Sequence, residues 1–190
     1  MPAAYLQLAV NGELDQRVKA AFELLNPCWV CPRRCRVNRL KDERGFCGIG
    51  FLPKVASVNA HFGEEPPISG TRGSGTIFFS GCNMRCVFCQ NYPISQLRHG
   101  QEITIERLAA DMLKIERMGC HNLNLVTPSH MVPQILAALT LAVKQGFDLP
   151  IVYNSSGYDS IDALQLLDGV VDIYLPDIKS HFFKILHGRR

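Results

Sequence analysis

The sequence contains no run of about 18 uninterrupted apolar residues, the length a helix needs to cross the hydrocarbon core of a bilayer, so no membrane span is expected. It also lacks a basic leader. The opening stretch MPAAYLQLAVNGELDQ has a short apolar segment without a small-residue cleavage site, which argues against a secretory signal. Nor are its basic residues gathered into a long run: the formal charge of +3 and pI near 8.4 arise from scattered Lys and Arg, and no nucleic-acid footprint results. A cytoplasmic protein with neither a membrane nor a nucleic acid as partner is the expectation. At 190 residues, 47% hydrophobic and 19% charged, the chain can bury one core and carry a small appendage.

What is present in excess is cysteine. A reducing compartment does not pair thiols as disulfides, so the eight cysteines need another role. Seven fall in two tight groups, Cys28, Cys31, Cys35, Cys47 and Cys82, Cys86, Cys89, which is how metal ligands are spaced. Cys120 stands apart after Gly119 and reads as a small buried hydrophobe.

Leu14, Val18, Ala21, Phe22 and Leu25 recur at helical spacing, and Pro27 ends that helix. From Cys28 to Gly75 the chain is rich in Pro, Gly, Cys and Arg, the texture of a loop-dominated module tied by a metal. The division expected is 1–70 for the N-terminal helix and cysteine-rich module and 71–190 for the core domain. After Gly75, short apolar runs alternate with amphipathic segments, as in βαβ units around a parallel sheet. Candidate strands are 76–80, 122–126, 150–153 and 172–175. Candidate helices are 104–118 before Gly119, 132–143 before Gly146, and a shorter one around Ile161, Leu164 and Leu167 before Gly169. The fold class is therefore α/β, a partial (β/α) barrel of about four βα units.

The segment Gly81-Cys82-Asn83-Met84-Arg85-Cys86-Val87-Phe88-Cys89 follows directly on the first candidate strand, which puts its thiols at the C-terminal mouth of the sheet, where barrel enzymes keep their chemistry. Three thiolates spaced CxxxCxxC can ligate three irons of a cubane and leave the fourth without a protein ligand. Zinc is the competing occupant, but it normally takes four protein ligands in a closed structural site. With Phe88 as the aromatic residue before the last cysteine, the pattern resembles the radical S-adenosylmethionine (SAM) superfamily. The run GSGTIFFSGCNMRCVFCQNYPIS is similar to proteins related to the pyruvate formate-lyase activating enzyme, and the likeness extends from about Cys28 to Lys179.

The resemblance implies a [4Fe-4S] cluster on Cys82, Cys86 and Cys89, with SAM chelating the open iron and yielding a 5′-deoxyadenosyl radical on reduction. It also implies a one-electron donor such as flavodoxin or ferredoxin, and a protein substrate, with a glycyl-radical enzyme as one candidate. Carried over by position, Phe88 belongs to the cofactor loop. Thr127-Pro128-Ser129-His130 stands where relatives have a GGE-like segment for the SAM amine, a departure that leaves Thr127 and Ser129 as hydroxyl donors and His130 as a group titrating near neutral pH. A plain strand-to-helix turn capped by Ser129 is the alternative. Asn154 and its neighbours through Tyr158 end the third candidate strand. Asp177 and Lys179 match a D-x-K element near SAM, against the alternative of a surface ion pair.

The first group offers four thiolates, enough to close a site around structural zinc or a second iron–sulfur cluster. His61, Glu64 and Glu65 belong to a segment that leads into the first candidate strand and so could reach the active site, against the alternative of a solvated loop. The superfamily core has six βα units. This sequence stops after the fourth strand, and beyond Lys179 the tail SHFFKILHGRR loses the family texture. A truncated enzyme, weak in SAM cleavage until extended, and a non-catalytic iron–sulfur or zinc-binding fragment are the two expectations.

Overall fold

The computed structural model describes residues 3–178. Two helices, α1 (Tyr5–Val10) and α2 (Glu13–Glu23), precede the first cysteine group. The alternation that follows comprises β1 (Lys54–His61), α3 (Pro66–Ser69), β2 (Ser74–Phe79), α4 (Tyr92–Ser95), β3 (Gln101–Glu102), α5 (Ile105–Arg117), β4 (Leu123–Val126), α6 (Val132–Val143), β5 (Ile151–Ser155), α7 (Ile161–Leu167) and β6 (Ile173–Pro176). All six strands join one sheet in the order β3-β1-β2-β4-β5-β6. Among the described residues this is an open row, a mixed α/β sheet in keeping with a partial α/β fold. No helix among them is long and apolar enough to cross a membrane.

The helices form where periodicity and capping agree. Thr104 caps α5 by accepting the Arg107 N–H at 3.2 Å, with Glu106 in the first turn and Lys114 and Arg117 in the last, each sign matched to the helix dipole. Its Leu108, Met112 and Ile115 are fully buried. Helix α6 is apolar almost all round and accordingly is buried on most of its surface, packed between α5 and α2. On the sheet, the parallel rows Gly75–Leu123–Ile151 and Ile77–Leu125–Tyr153 share one face and join the α5 and α6 stripes in a single core. Tyr5 of α1, which has no counterpart in the sequence reading, stacks on Phe147 at 6.2 Å and donates its hydroxyl to the Leu149 carbonyl at 2.8 Å.

The four strands read from sequence are β2, β4, β5 and β6, all parallel. The loop-dominated reading of 28–75 needs correction at residues 54–61, because β1 lies antiparallel against β2. Its small residues mask the period of two, and a register shift between Val55 and Ser57 breaks the alternation that would have revealed it. The row Phe78–Val126–Asn154–Leu175 brings the C-terminal ends of the four parallel strands to one edge of the sheet.

Candidate active site

At that edge β2 runs into the cysteine loop. Ser80 is fixed three ways: its N–H donates to the Lys54 carbonyl at 2.8 Å, its hydroxyl to the His99 carbonyl at 2.6 Å, and its own carbonyl accepts from His130 Nε2 at 2.9 Å. Gly81 then turns the chain at φ +75°. A Cβ there would stand 2.7 Å from the Cys47 carbonyl oxygen, so only glycine lets the two cysteine segments meet. Gly81→Ala is expected to cost about 2 kcal/mol or more, read from the denaturant midpoint of the metal-free protein. An unchanged midpoint would refute this close-approach account.

Cys82, Cys86 and Cys89 are half-buried. The Met84 N–H donates to Cys82 Sγ at 3.3 Å, and Ser95 Oγ of α4 lies 3.1 Å from Cys89 Sγ. Burial pushes the Cys82 thiol up to about 11; the Met84 N–H opposes this, while Cys86, Cys89 and Cys47 add to the rise. Cys86 and Cys89 therefore both lie within electrostatic reach of Cys82. The loop is held from outside: Asn83 Nδ2 donates to the Tyr158 carbonyl at 2.6 Å, Arg33 Nε to the Asn83 carbonyl at 2.8 Å, and Gln96 Nε2 to the Cys86 carbonyl at 3.0 Å. Three sulfur donors on one pinned loop, with the Met84 N–H on one of them and the Ser95 hydroxyl beside another, form a set that fits a cubane cluster ligated on three corners.

The other positions singled out from sequence are distributed around this loop. Phe88 is exposed. Thr127, at the end of β4 with φ 59°, donates its N–H to the Asn154 carbonyl at 2.9 Å. Ser129 is buried and donates to the Tyr153 phenol, whose own hydroxyl reaches Asp159 at 2.9 Å. It does not cap α6, whose N-cap position is Met131 without a side-chain bond. His130 is fully buried, and burial pushes it down to about 4, so it is neutral at physiological pH and the expected titration near neutrality does not hold. Asp177 is exposed, with its N–H on the Ser155 carbonyl at 2.8 Å; Lys179 lies outside the described residues. His61 pairs with Ser74 at the start of β2, which puts it at the opposite end of the sheet from Cys82, and Glu64 and Glu65 follow it there.

The first group is packed against the loop from behind. Cys28, Cys31 and Cys47 are buried and Cys35 half-buried, and all four line a cavity of about 10 Å³ together with Arg39, Asn83 and His130. Burial pushes the Cys31 thiol up to about 12, with its three neighbours Cys47, Cys28 and Cys35 adding to the rise. Among the described residues no group of three or more His, Cys, Asp and Glu side chains is arranged to hold a single metal ion. Arg33, Arg39 and Asn83 were not singled out in the sequence, where isolated arginines and an asparagine inside a loop carry no signal. Their roles depend on contacts 11 to 91 residues away.

The profile of the radical SAM superfamily matches residues 76–186. The chain belongs to the radical SAM superfamily. Members of this superfamily generally bind a [4Fe-4S] cluster and SAM. The match begins in β2 and takes in the cysteine loop; the narrower likeness to the pyruvate formate-lyase activating enzyme rests on the residue pattern alone. Two uncharacterized proteins of Methanocaldococcus jannaschii are similar to this radical SAM chain. One is 37% identical over 172 residues, 87% of this chain and 49% of the relative; the other is 34% identical over 83 residues, 36% of this chain and 24% of the relative. The chain thus spans about half the length of the first of these relatives and about a quarter of the second.

Proposed function

We propose that this chain provides the cluster-binding part of a radical SAM enzyme, with Cys82, Cys86 and Cys89 as the ligands of a [4Fe-4S] cluster and SAM as cosubstrate. The observation that carries the reading is the three-cysteine loop at the C-terminal edge of the parallel sheet. When bound and reduced, the cluster supplies one electron for cleavage of SAM to methionine and a 5′-deoxyadenosyl radical.

The chain's own groups position, orient and shield. Asn83, anchored to the Tyr158 carbonyl, and Arg33, anchored to the Asn83 carbonyl, hold the loop between the first cysteine group and the end of β5. Met84 is buried beneath the loop and keeps water from its inner side. Thr127, Asn154 and Asp177, at the ends of β4, β5 and β6, form the edge against which the methionyl end of SAM would be oriented; Ser129 supports that edge through Tyr153. Orientation matters because a misplacement of ~1 Å can cost about a hundredfold in rate. A flavodoxin or ferredoxin is the electron donor this chemistry calls for, and the likeness to the activating enzymes makes a protein glycine the first substrate to test.

The test is anaerobic reconstitution, dithionite reduction and addition of SAM, followed by EPR and chromatographic measurement of 5′-deoxyadenosine. A SAM-dependent change in the cluster spectrum with 5′-deoxyadenosine formation is expected. A chain loaded with about four irons at this loop that shows neither response would overturn the assignment.

A further inference from the structure

The four cysteines of the first group have no part in the function above, and the structure says what they are arranged to hold. They line one cavity, and the loops that carry them are built to converge. Cys28 is fixed by paired backbone bonds, its N–H to the Val37 carbonyl at 2.9 Å and its carbonyl from the Arg36 N–H at 3.2 Å. The Phe46 N–H donates to Cys35 Sγ at 3.4 Å, the kind of bond that tunes a ligating thiolate. Gly45 lets the segment before Cys47 close onto Cys35, since a Cβ there would stand 2.7 Å from Cys35 Cβ.

A buried guanidinium on the same cavity indicates an anionic occupant. Arg39 is fully buried and donates to the carbonyls of Gly50 at 2.9 Å and His130 at 2.7 Å. Its Nη2 has no hydrogen-bond partner, and among the described residues it forms no ion pair with a carboxylate. A buried charge without a counter-charge is costly, the Asp42 carboxylate is paired with Arg44, and the cavity that Arg39 lines is the one lined by the four cysteines.

The arrangement of the four thiols then bears on the choice among thiolate-bound groups, since zinc draws its sulfurs in to about 2.3 Å. The four thiols share a cavity without being gathered for a single ion. The superfamily's own cluster loop, Cys82 to Cys89, has the same character in this structure: three half-buried cysteines on one loop, yet not arranged around one ion.

We infer that Cys28, Cys31, Cys35 and Cys47 ligate a second iron–sulfur cluster, with Arg39 as its buried counter-charge, seated directly behind the cysteine loop. This holds whether or not the Cys82 loop cleaves SAM. The test uses the full chain carrying Cys82→Ala, Cys86→Ala and Cys89→Ala, reconstituted anaerobically with iron and sulfide in the presence of equimolar zinc. Iron, zinc and acid-labile sulfide are counted, and the reduced protein is examined by EPR. About two to four irons per chain with a matching amount of sulfide are expected, and a further Cys31→Ala change should remove them. One zinc per chain without sulfide, no metal at all, or iron that survives Cys31→Ala would overturn the inference. If the triple variant does not fold, the unaltered chain decides. More than about four irons is the expected result, and about four irons with one zinc is the contrary one.

Discussion

Cys86→Ala is expected to remove about four irons per chain relative to the unaltered protein and to reduce 5′-deoxyadenosine formation to background. Cys86 is the middle cysteine of the loop, and the turn around it is closed on both sides: the Cys89 N–H donates to its carbonyl at 3.2 Å and Gln96 Nε2 to the same carbonyl at 3.0 Å. Alanine keeps both backbone contacts, so the loop should hold its shape while losing the thiolate. Two corners do not retain a cubane that three corners hold open for a substrate. Iron counted before and after, together with chromatography of the SAM products, gives the answer. Full iron content in the variant would mean that the cluster is bound elsewhere.

Arg39→Met is expected to lower the stability of the metal-free protein by about 3 kcal/mol or more. Methionine fills much of the same volume but leaves the Gly50 and His130 carbonyls without their donors, and each buried acceptor left unpaired costs about 1–3 kcal/mol. The damage should extend beyond the N-terminal segment, because the His130 ring donates to the Ser80 carbonyl, two residues before Cys82. Urea unfolding, analysed by linear extrapolation, measures the loss. A change below about 1 kcal/mol would show that these carbonyls find other partners and that Arg39 does not brace the site.

These two residues mark the boundary between what was legible in the sequence and what was not. The grouping of Cys82, Cys86 and Cys89 on one loop was legible because three cysteines at a fixed short spacing are a local pattern, and a local pattern survives in a linear text. The four parallel strands and the helices α2, α5, α6 and α7 were legible for a similar reason: apolar periodicity and glycines just beyond the helix ends are local features. Where the local signal was masked the reading failed. The register shift in β1 concealed a strand inside what looked like loop, and His130, polar in sequence, proved to be a neutral group buried under the site.

The sequence by itself determined the cysteine loop, the order of the four parallel strands along the chain and hence the edge at which the loop emerges, since each follows from short-range spacing and from the alternation of strand and helix. Only the tertiary structure decided that the first cysteine group stands behind that loop, that Gly81 is the point of contact, and that Arg39 lies buried between Gly50 and His130. Such pairings join residues 11 to 91 positions apart. They are fixed by which faces pack and which buried polar groups find partners, and a one-dimensional pattern carries no information about either.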